Sequence, residues 1–157
     1  MRLTLLRHGK AMDRSSWHGE DADRPLTREG EEQAERVCKA LKELIRADEI
    51  WTSPWVRARH TAEIASAAWK LPLREVAWMA GEAASAQERI DELPSDSDVV
   101  LVGHEPDLGL LAGALLGGIS LQLKKSGIAV LDGKPALAEM RLVSLLTPKH
   151  VLGLSRP

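Results

Sequence analysis

The chain has 157 residues, which at roughly 150 residues per domain suggests a single domain, residues 1–157, large enough to bury a core without staples. Hydrophobic residues make up 44% and charged residues 28%, close to the soluble globular average, which argues against a disordered chain. Twenty-one Lys and Arg against twenty-three Asp and Glu leave −2 with His neutral, so no global field draws the protein to nucleic acid or to an anionic membrane.

Arg2–Leu6 is a short apolar run that reads as a strand, and Arg7 and His8 interrupt it too early for a signal-peptide core. Met12–Arg24 is polar and reads as a loop. Thr27 is placed as an N-cap, with Glu29, Glu31 and Glu32 in the first turn, where the helix dipole favours acids. Ala34, Val37, Cys38, Leu41, Leu44 and Ile45 follow at helical spacing, so a helix is predicted over 28–45. Glu49–Thr52 reads as a second strand. Ser53-Pro54 then opens a helix to Trp69, with Ser as cap and Pro at the first position.

Leu73–Val76 is a third strand, and 85–92 a short helix before Pro94. Asp98–Gly103 shows little alternation, as a strand buried on both faces would. Pro106 opens a helix over 106–116. Gly127–Leu131 and Glu139–Leu146 read as an antiparallel pair about the turn Asp132-Gly133-Lys134-Pro135. Strands alternating with helices and closing on two successive strands give the fold class: an α/β protein, a three-layer α/β/α sandwich around a mostly parallel, mixed sheet.

The single cysteine, Cys38, cannot form an internal disulfide or a Cys-based zinc site, and it suits a reducing compartment. The longest uncharged stretch, Leu108 to Leu123, has 16 residues, four of them glycines, short of the about 20 apolar residues of a membrane span. A cytoplasmic protein without a membrane association is expected.

Three of the predicted strands end in residues suited to chemistry. The first ends in Arg7-His8-Gly9. The second ends in Thr52-Ser53-Pro54, with Arg57 in the helix that follows. The fourth ends in Gly103-His104-Glu105-Pro106. Open α/β sheets bind ligands beyond the carboxyl ends of their strands. If these ends are neighbours, two Arg and two His converge. Arg offers a planar fork matched to phosphate oxygens, and a helix N-terminus adds free N–H groups.

These segments resemble the histidine phosphatase superfamily, the phosphoglycerate-mutase-like enzymes. Leu6-Arg7-His8-Gly9 is similar to its signature. Ser53-Pro54-Trp55-Val56-Arg57-Ala58, followed by Thr61-Ala62, is similar to its second block, and Val102-Gly103-His104-Glu105-Pro106 to its third. The short length and Arg24-Pro25-Leu26-Thr27 with Gly30 resemble the SixA-type phosphohistidine phosphatases. The resemblance runs from Met1 to about Leu116. It implies His8 as the nucleophile, forming a phosphohistidine intermediate, its ring oriented by a backbone carbonyl that Gly9 is placed to supply. Arg7, Arg57 and His104 would hold the phosphoryl oxygens. The implied substrate is a phosphorylated protein, such as a histidine phosphotransfer protein, or a small phosphate ester. No metal or other cofactor is implied.

Larger relatives in this superfamily carry a carboxylate that protonates the leaving oxygen. Here the corresponding region, 77–82, holds Glu82. Glu105, Asp13, Asp21 and Asp23 are further candidates, and the acid stays unassigned. Other residues have plainer readings: Cys38 as core, His60 and His150 as surface histidines, Trp17 and His18 as part of a solvated loop, and Trp55 at a pocket edge. Two alternatives come from other classes. A catalytically silent phosphate-binding module would be expected to lack His8. A His-ligated metallohydrolase would need a His-x-x-x-His or Glu-x-x-His spacing, which is absent.

Overall fold

The computed structural model describes residues 1–80 and 85–154. Six strands form one sheet: β1 (Arg2–Arg7), β2 (Glu49–Thr52), β3 (Leu73–Glu75), β4 (Val99–Gly103), β5 (Ile128–Gly133) and β6 (Met140–Leu146). Their order is β3-β2-β4-β1-β5-β6. The pairs β3–β2, β2–β4 and β4–β1 are parallel, and β1–β5 and β5–β6 are antiparallel. Among the described residues five α-helices accompany them: α1 (Arg28–Ala40), α2 (Val56–Trp69), α3 (Ala86–Asp91), α4 (Asp107–Leu115) and α5 (Pro148–Leu154). This is the expected α/β/α sandwich.

The period of two along each strand assigns the layers. Leu3 and Leu5 of β1, with Val99 and Leu101 of β4, pack on one side against Ile90 of α3 and Leu108, Leu111 and Leu115 of α4. Leu6, Val100 and Val102 pack on the other side against Val37 and Cys38 of α1, Ala62 and Ala65 of α2, and Val151 of α5. All five residues of β4 are buried, which accounts for its lack of polar alternation.

Helix ends follow their capping chemistry. Thr27 Oγ1 accepts from Gly30 N at 3.0 Å, as predicted. Ser85 and Glu88 form a reciprocal capping box on α3. Gly30 is required by packing, since a Cβ there would lie 2.1 Å from the Lys10 carbonyl oxygen. That contact presses the chain just past β1 against the start of α1.

Four expectations need correction. α1 stops at Ala40, and 41–44 form a turn; Leu41 still docks in the core while Leu44 is 66% exposed. α2 begins at Val56 and not at Pro54: Trp55 has extended backbone (φ −65°, ψ 134°) and is the N-cap, while Ser53 Oγ accepts from Trp55 N at 3.2 Å. β5 runs through Asp132-Gly133, so the reversal falls at 134–139; Gly133 just before it (φ 141°) and Ala138 within it (φ 58°) have positive φ. α5 was not anticipated, although Thr147-Pro148 carries its start signal: Thr147 Oγ1 accepts from His150 N at 3.3 Å. No helix among the described residues is long and apolar enough to cross a membrane.

Candidate active site

Parallel register brings three strand ends side by side. Arg7 of β1 pairs with Gly103 of β4, and Thr52 of β2 with Val102 of β4. The next residue in each case continues the ladder: His8 N donates to Gly103 O at 3.0 Å and Ser53 N to Val102 O at 3.1 Å. His8, Ser53 and His104 are therefore set in a row by the sheet itself. Arg57 joins them as the second residue of α2.

His8 is 6% exposed, and its Nδ1 lies 2.7 Å from Gly9 O. A carbonyl can only accept, so Nδ1 carries the proton there and Nε2 keeps its lone pair. Gly9 is fixed in turn, since its N–H donates to Thr61 Oγ1 at 3.0 Å and Thr61 donates to Arg57 O at 2.7 Å. From behind, Ser126 N reaches the carbonyls of Arg7 and His8 at 3.1 and 3.2 Å. Burial pushes the His8 imidazole down to about 3; the charges of His104, Arg57 and Arg7 act the same way, and the Gly9 carbonyl opposes them. The ring is uncharged at neutral pH and available as a nucleophile.

His104 sits between two rings, 5.1 Å from His8 and 4.8 Å from Trp55 between centroids. Its Nε2 lies 2.8 Å from Ser53 Oγ; that oxygen accepts from Trp55 N at 3.2 Å, and its O–H can donate to Nε2, the arrangement that leaves the imidazole proton on Nδ1. Burial, followed by the Arg57 charge, lowers it to about 4, with Asp21 pulling the other way. Arg7 Nη1 donates to Leu123 O at 2.8 Å. Burial is also the main influence lowering both Arg7 and Arg57 from the usual guanidinium value.

Arg7 Nε, Arg57 Nε and His104 Nδ1 are buried without a hydrogen-bond partner in the chain. Unpartnered buried donors are costly, and all three belong to residues that line one cavity of about 480 Å³. An oxyanion in that cavity would meet the positive charge of the two arginines beside His104. The lining includes five Arg and Lys side chains (Arg7, Arg14, Arg24, Arg57, Lys125) against three carboxylates (Asp21, Glu105, Asp107), so the site is cationic in a chain of net charge −2.

Those three carboxylates are engaged. Glu105 Oε1 accepts from Leu123 N at 2.8 Å and Oε2 from Gly109 N at 3.3 Å, which ties the turn after β4 to the 121–123 segment and argues against a proton-donor role. Asp107 pairs with Arg89 at 2.9 Å. Asp21 is strongly lowered: burial raises it, but hydrogen bonds from Arg14 and Arg24 and the charges of Arg57 and Arg24 outweigh that. Three arginines around the carboxylate favour its ionised form, which argues against a proton-donor role for Asp21. Asp13 and Asp23 are exposed and outside the cavity lining. Glu82 lies outside the described residues.

The remaining residues fall where their plain readings put them. His60 Nε2 meets Glu31 at 3.0 Å, away from the cavity, and His18 and His150 are exposed. Trp17 closes its own loop on Glu20 O at 2.8 Å. The Cys38 thiol is buried and pushed up to about 12 by burial. No group of three or more His, Cys, Asp or Glu able to hold a metal occurs among the described residues. Sequence reasoning missed Ser53, whose Ser-Pro signal was read as a cap, and the hold of Asp21 on Arg57, for which no local signal exists.

A model of the histidine phosphatase superfamily (branch 1) matches residues 3–80, which hold the Arg7-His8-Gly9 and Ser53–Arg57 segments. An uncharacterized protein of Picosynechococcus sp. is 39% identical over 174 aligned residues, covering 97% of this chain and 99% of that protein. The chain belongs to the histidine phosphatase superfamily. Among solved structures, this histidine phosphatase is similar to a protein from Agrobacterium tumefaciens assigned as the phosphohistidine phosphatase SixA. The TM-score is 0.78 and the identity 27%, over 94% of this chain and 97% of that one. A protein histidine phosphatase SixA complexed with tungstate also gives a TM-score of 0.78, at 21% identity over 94% and 97% of the two chains. A phosphoserine phosphatase from Entamoeba histolytica, solved with 3-phosphoglyceric acid, gives 0.71 at 19% identity over 96% and 98%. At such identities the last two speak for the fold alone.

Proposed function

We propose that this phosphatase hydrolyses phosphohistidine carried on another protein, acting in the cytoplasm as one catalytic domain over residues 1–157 and without a metal. In the first step, His8 Nε2 attacks phosphorus as the P–N bond to the substrate ring breaks; that ring already carries a proton on its other nitrogen, so it departs as neutral imidazole. In the second, water attacks the phosphoryl group on His8, the P–N bond to His8 breaks, and a proton passes to solvent with release of inorganic phosphate. Arg7, Arg57 and His104 meet the phosphoryl oxygens, where charge gathers during transfer. An arriving phosphoryl dianion also favours the charged form of His104.

The observation that supports this reading is the state of the carboxylates. Asp21, Glu105 and Asp107 line the cavity, and each is held by arginine or by backbone N–H groups. An alkoxide leaving group needs a proton in the transition state, help worth about 10²–10⁴-fold. Imidazole leaves without it, because its conjugate acid has a pKa near 6.5. The similarity to SixA proteins supports the same substrate class.

A second reading, a phosphomonoesterase of small metabolites, is favoured by the cavity volume of about 480 Å³, which would admit a small phosphate ester. The test is kcat/KM for a phosphorylated histidine phosphotransfer protein beside phosphate esters of graded leaving-group pKa, in the presence of a chelator, with Glu82→Gln and Glu105→Gln variants. Phosphohistidine and aryl phosphates should lead by orders of magnitude over alkyl phosphates. A dependence on leaving-group pKa that is flat in the wild type and steep in one variant would reveal a working acid and favour the metabolite phosphatase.

A further inference from the structure

The loop between β1 and α1 reaches across the site and grips one of its cations. Asp21 meets Arg57 twice: its backbone oxygen accepts from Nη1 at 2.7 Å, and its Oδ2 from Nη2 at 3.1 Å. The same carboxylate is held by Arg24 Nε at 2.9 Å and by Arg14 at 3.0 Å. Arg24 in turn donates to Met12 O, which braces the loop from its other end.

Arg57 needs such a hold. Its side chain is 5% exposed, and it lies in the first turn of α2, where the helix dipole disfavours a cation. A buried charge persists only when paired. The Trp55 ring covers one face of the guanidinium, with the central carbon 4.5 Å from its centroid. With Nη1 and Nη2 held by Asp21, Nε is left without an acceptor. We propose that Asp21 is a positioning residue for this phosphatase: its two-point grip fixes the Arg57 guanidinium in the stance from which its remaining N–H groups meet the phosphoryl oxygens, and Arg14 and Arg24 lock Asp21 in place. This rests on Arg57 acting on the phosphoryl group, and it is independent of whether the physiological substrate is phosphohistidine.

The test is a double-mutant cycle on p-nitrophenyl phosphate, whose leaving group needs no acid. Asp21→Ala and the isosteric Asp21→Asn should lower kcat about tenfold to a hundredfold, the scale of a misplaced catalytic group, with a smaller change in KM. In an Arg57→Ala background the same substitutions should change kcat less than about twofold, because the group they position is gone. Thermal unfolding identifies folded variants; if Asp21→Ala does not fold, Asp21→Asn carries the cycle. Equal losses in both backgrounds would overturn the proposal in favour of a role apart from Arg57. So would unchanged or faster turnover with tighter inhibition by inorganic phosphate, which would make Asp21 a brake. Failure on phosphohistidine with the cycle intact would count only against the substrate assignment.

Discussion

β1, β4 and β2 lie in the middle of the sheet and run the same way, whereas β6 at the far edge runs beside β5 and leaves Leu142, Val143 and Leu145 between 40% and 50% exposed. In the parallel part every strand delivers its carboxyl end to one edge of the sheet, so a residue placed just after each strand joins a common cluster. Arg7-His8, Ser53 and His104 arise this way. In the antiparallel part the chain reverses; the carboxyl end of β6 reaches that edge one strand farther out, and directly beside β1 lies the approach to β5. It offers backbone: Gly127 O accepts from Arg7 N at 3.1 Å, and Ser126 N reaches the carbonyls of Arg7 and His8. The ends of the parallel strands thus supply His8, Ser53 and His104, while the approach to β5 braces them with backbone and adds Lys125 to the cavity lining.

The largest expected effect tests that division at its centre. His8→Ala removes the only nucleophile proposed here, so turnover of an aryl phosphate should fall by several orders of magnitude while phosphate still binds. His104→Ala should cost about 10²–10³, the loss for one charge-stabilising donor. Near-wild-type activity in His8→Ala, measured in a folded variant, would sink the assignment.

A smaller effect concerns stability. His8 and His104 are held down to about 3 and about 4 in the fold against an ordinary 6.5. Between about pH 4 and 6.5 the unfolded chain therefore binds more protons at these two sites than the folded one. Stability should rise with pH across that window, is fully present above it, and is lost as pH falls. Each imidazole contributes a slope of up to about 1.4 kcal/mol per pH unit. Thermal unfolding from pH 5 to 7 should show this rise, and His8→Asn should flatten it. An unchanged slope in that variant would mean that His8 is protonated in the folded state.

The smallest effect belongs to the far edge. Val143→Thr on β6 keeps the β-branched shape on a half-exposed site, so stability should stay within about 0.5 kcal/mol and kcat/KM should not move. A drop in kcat/KM at unchanged stability would show that the hairpin takes part in substrate handling and would blur the division drawn above.

Much of this was legible in the chain. Periodicity and capping residues determined where helices and strands form, because both depend on neighbours within a few positions: the Thr27 cap, the apolar spacing of α1, the unbroken run of β4. The placement of Arg7-His8 and His104 directly after apolar runs marked them as strand-end residues, and Arg57 followed from the helix after β2. Local patterns were less reliable at boundaries. Ser53-Pro54 has the form of a helix start, yet the Ser53 hydroxyl faces His104 across 51 positions of sequence.

What the sequence left open depends on register and on contacts between distant segments. Asp21 grips Arg57 across 36 positions, and Glu105 accepts from Leu123 N across 18. As isolated letters, both are acids near a pocket. Only the packed structure shows one locked among arginines and the other bound to backbone amides. The physical reason is that a carboxylate's chemistry is set by the donors within about 3 Å of its oxygens. Those donors are chosen by strand pairing and loop packing, not by sequence neighbours. The sequence by itself determined most of the elements and the residues at their ends; the tertiary structure decided which of those residues meet at one cavity and which are held elsewhere.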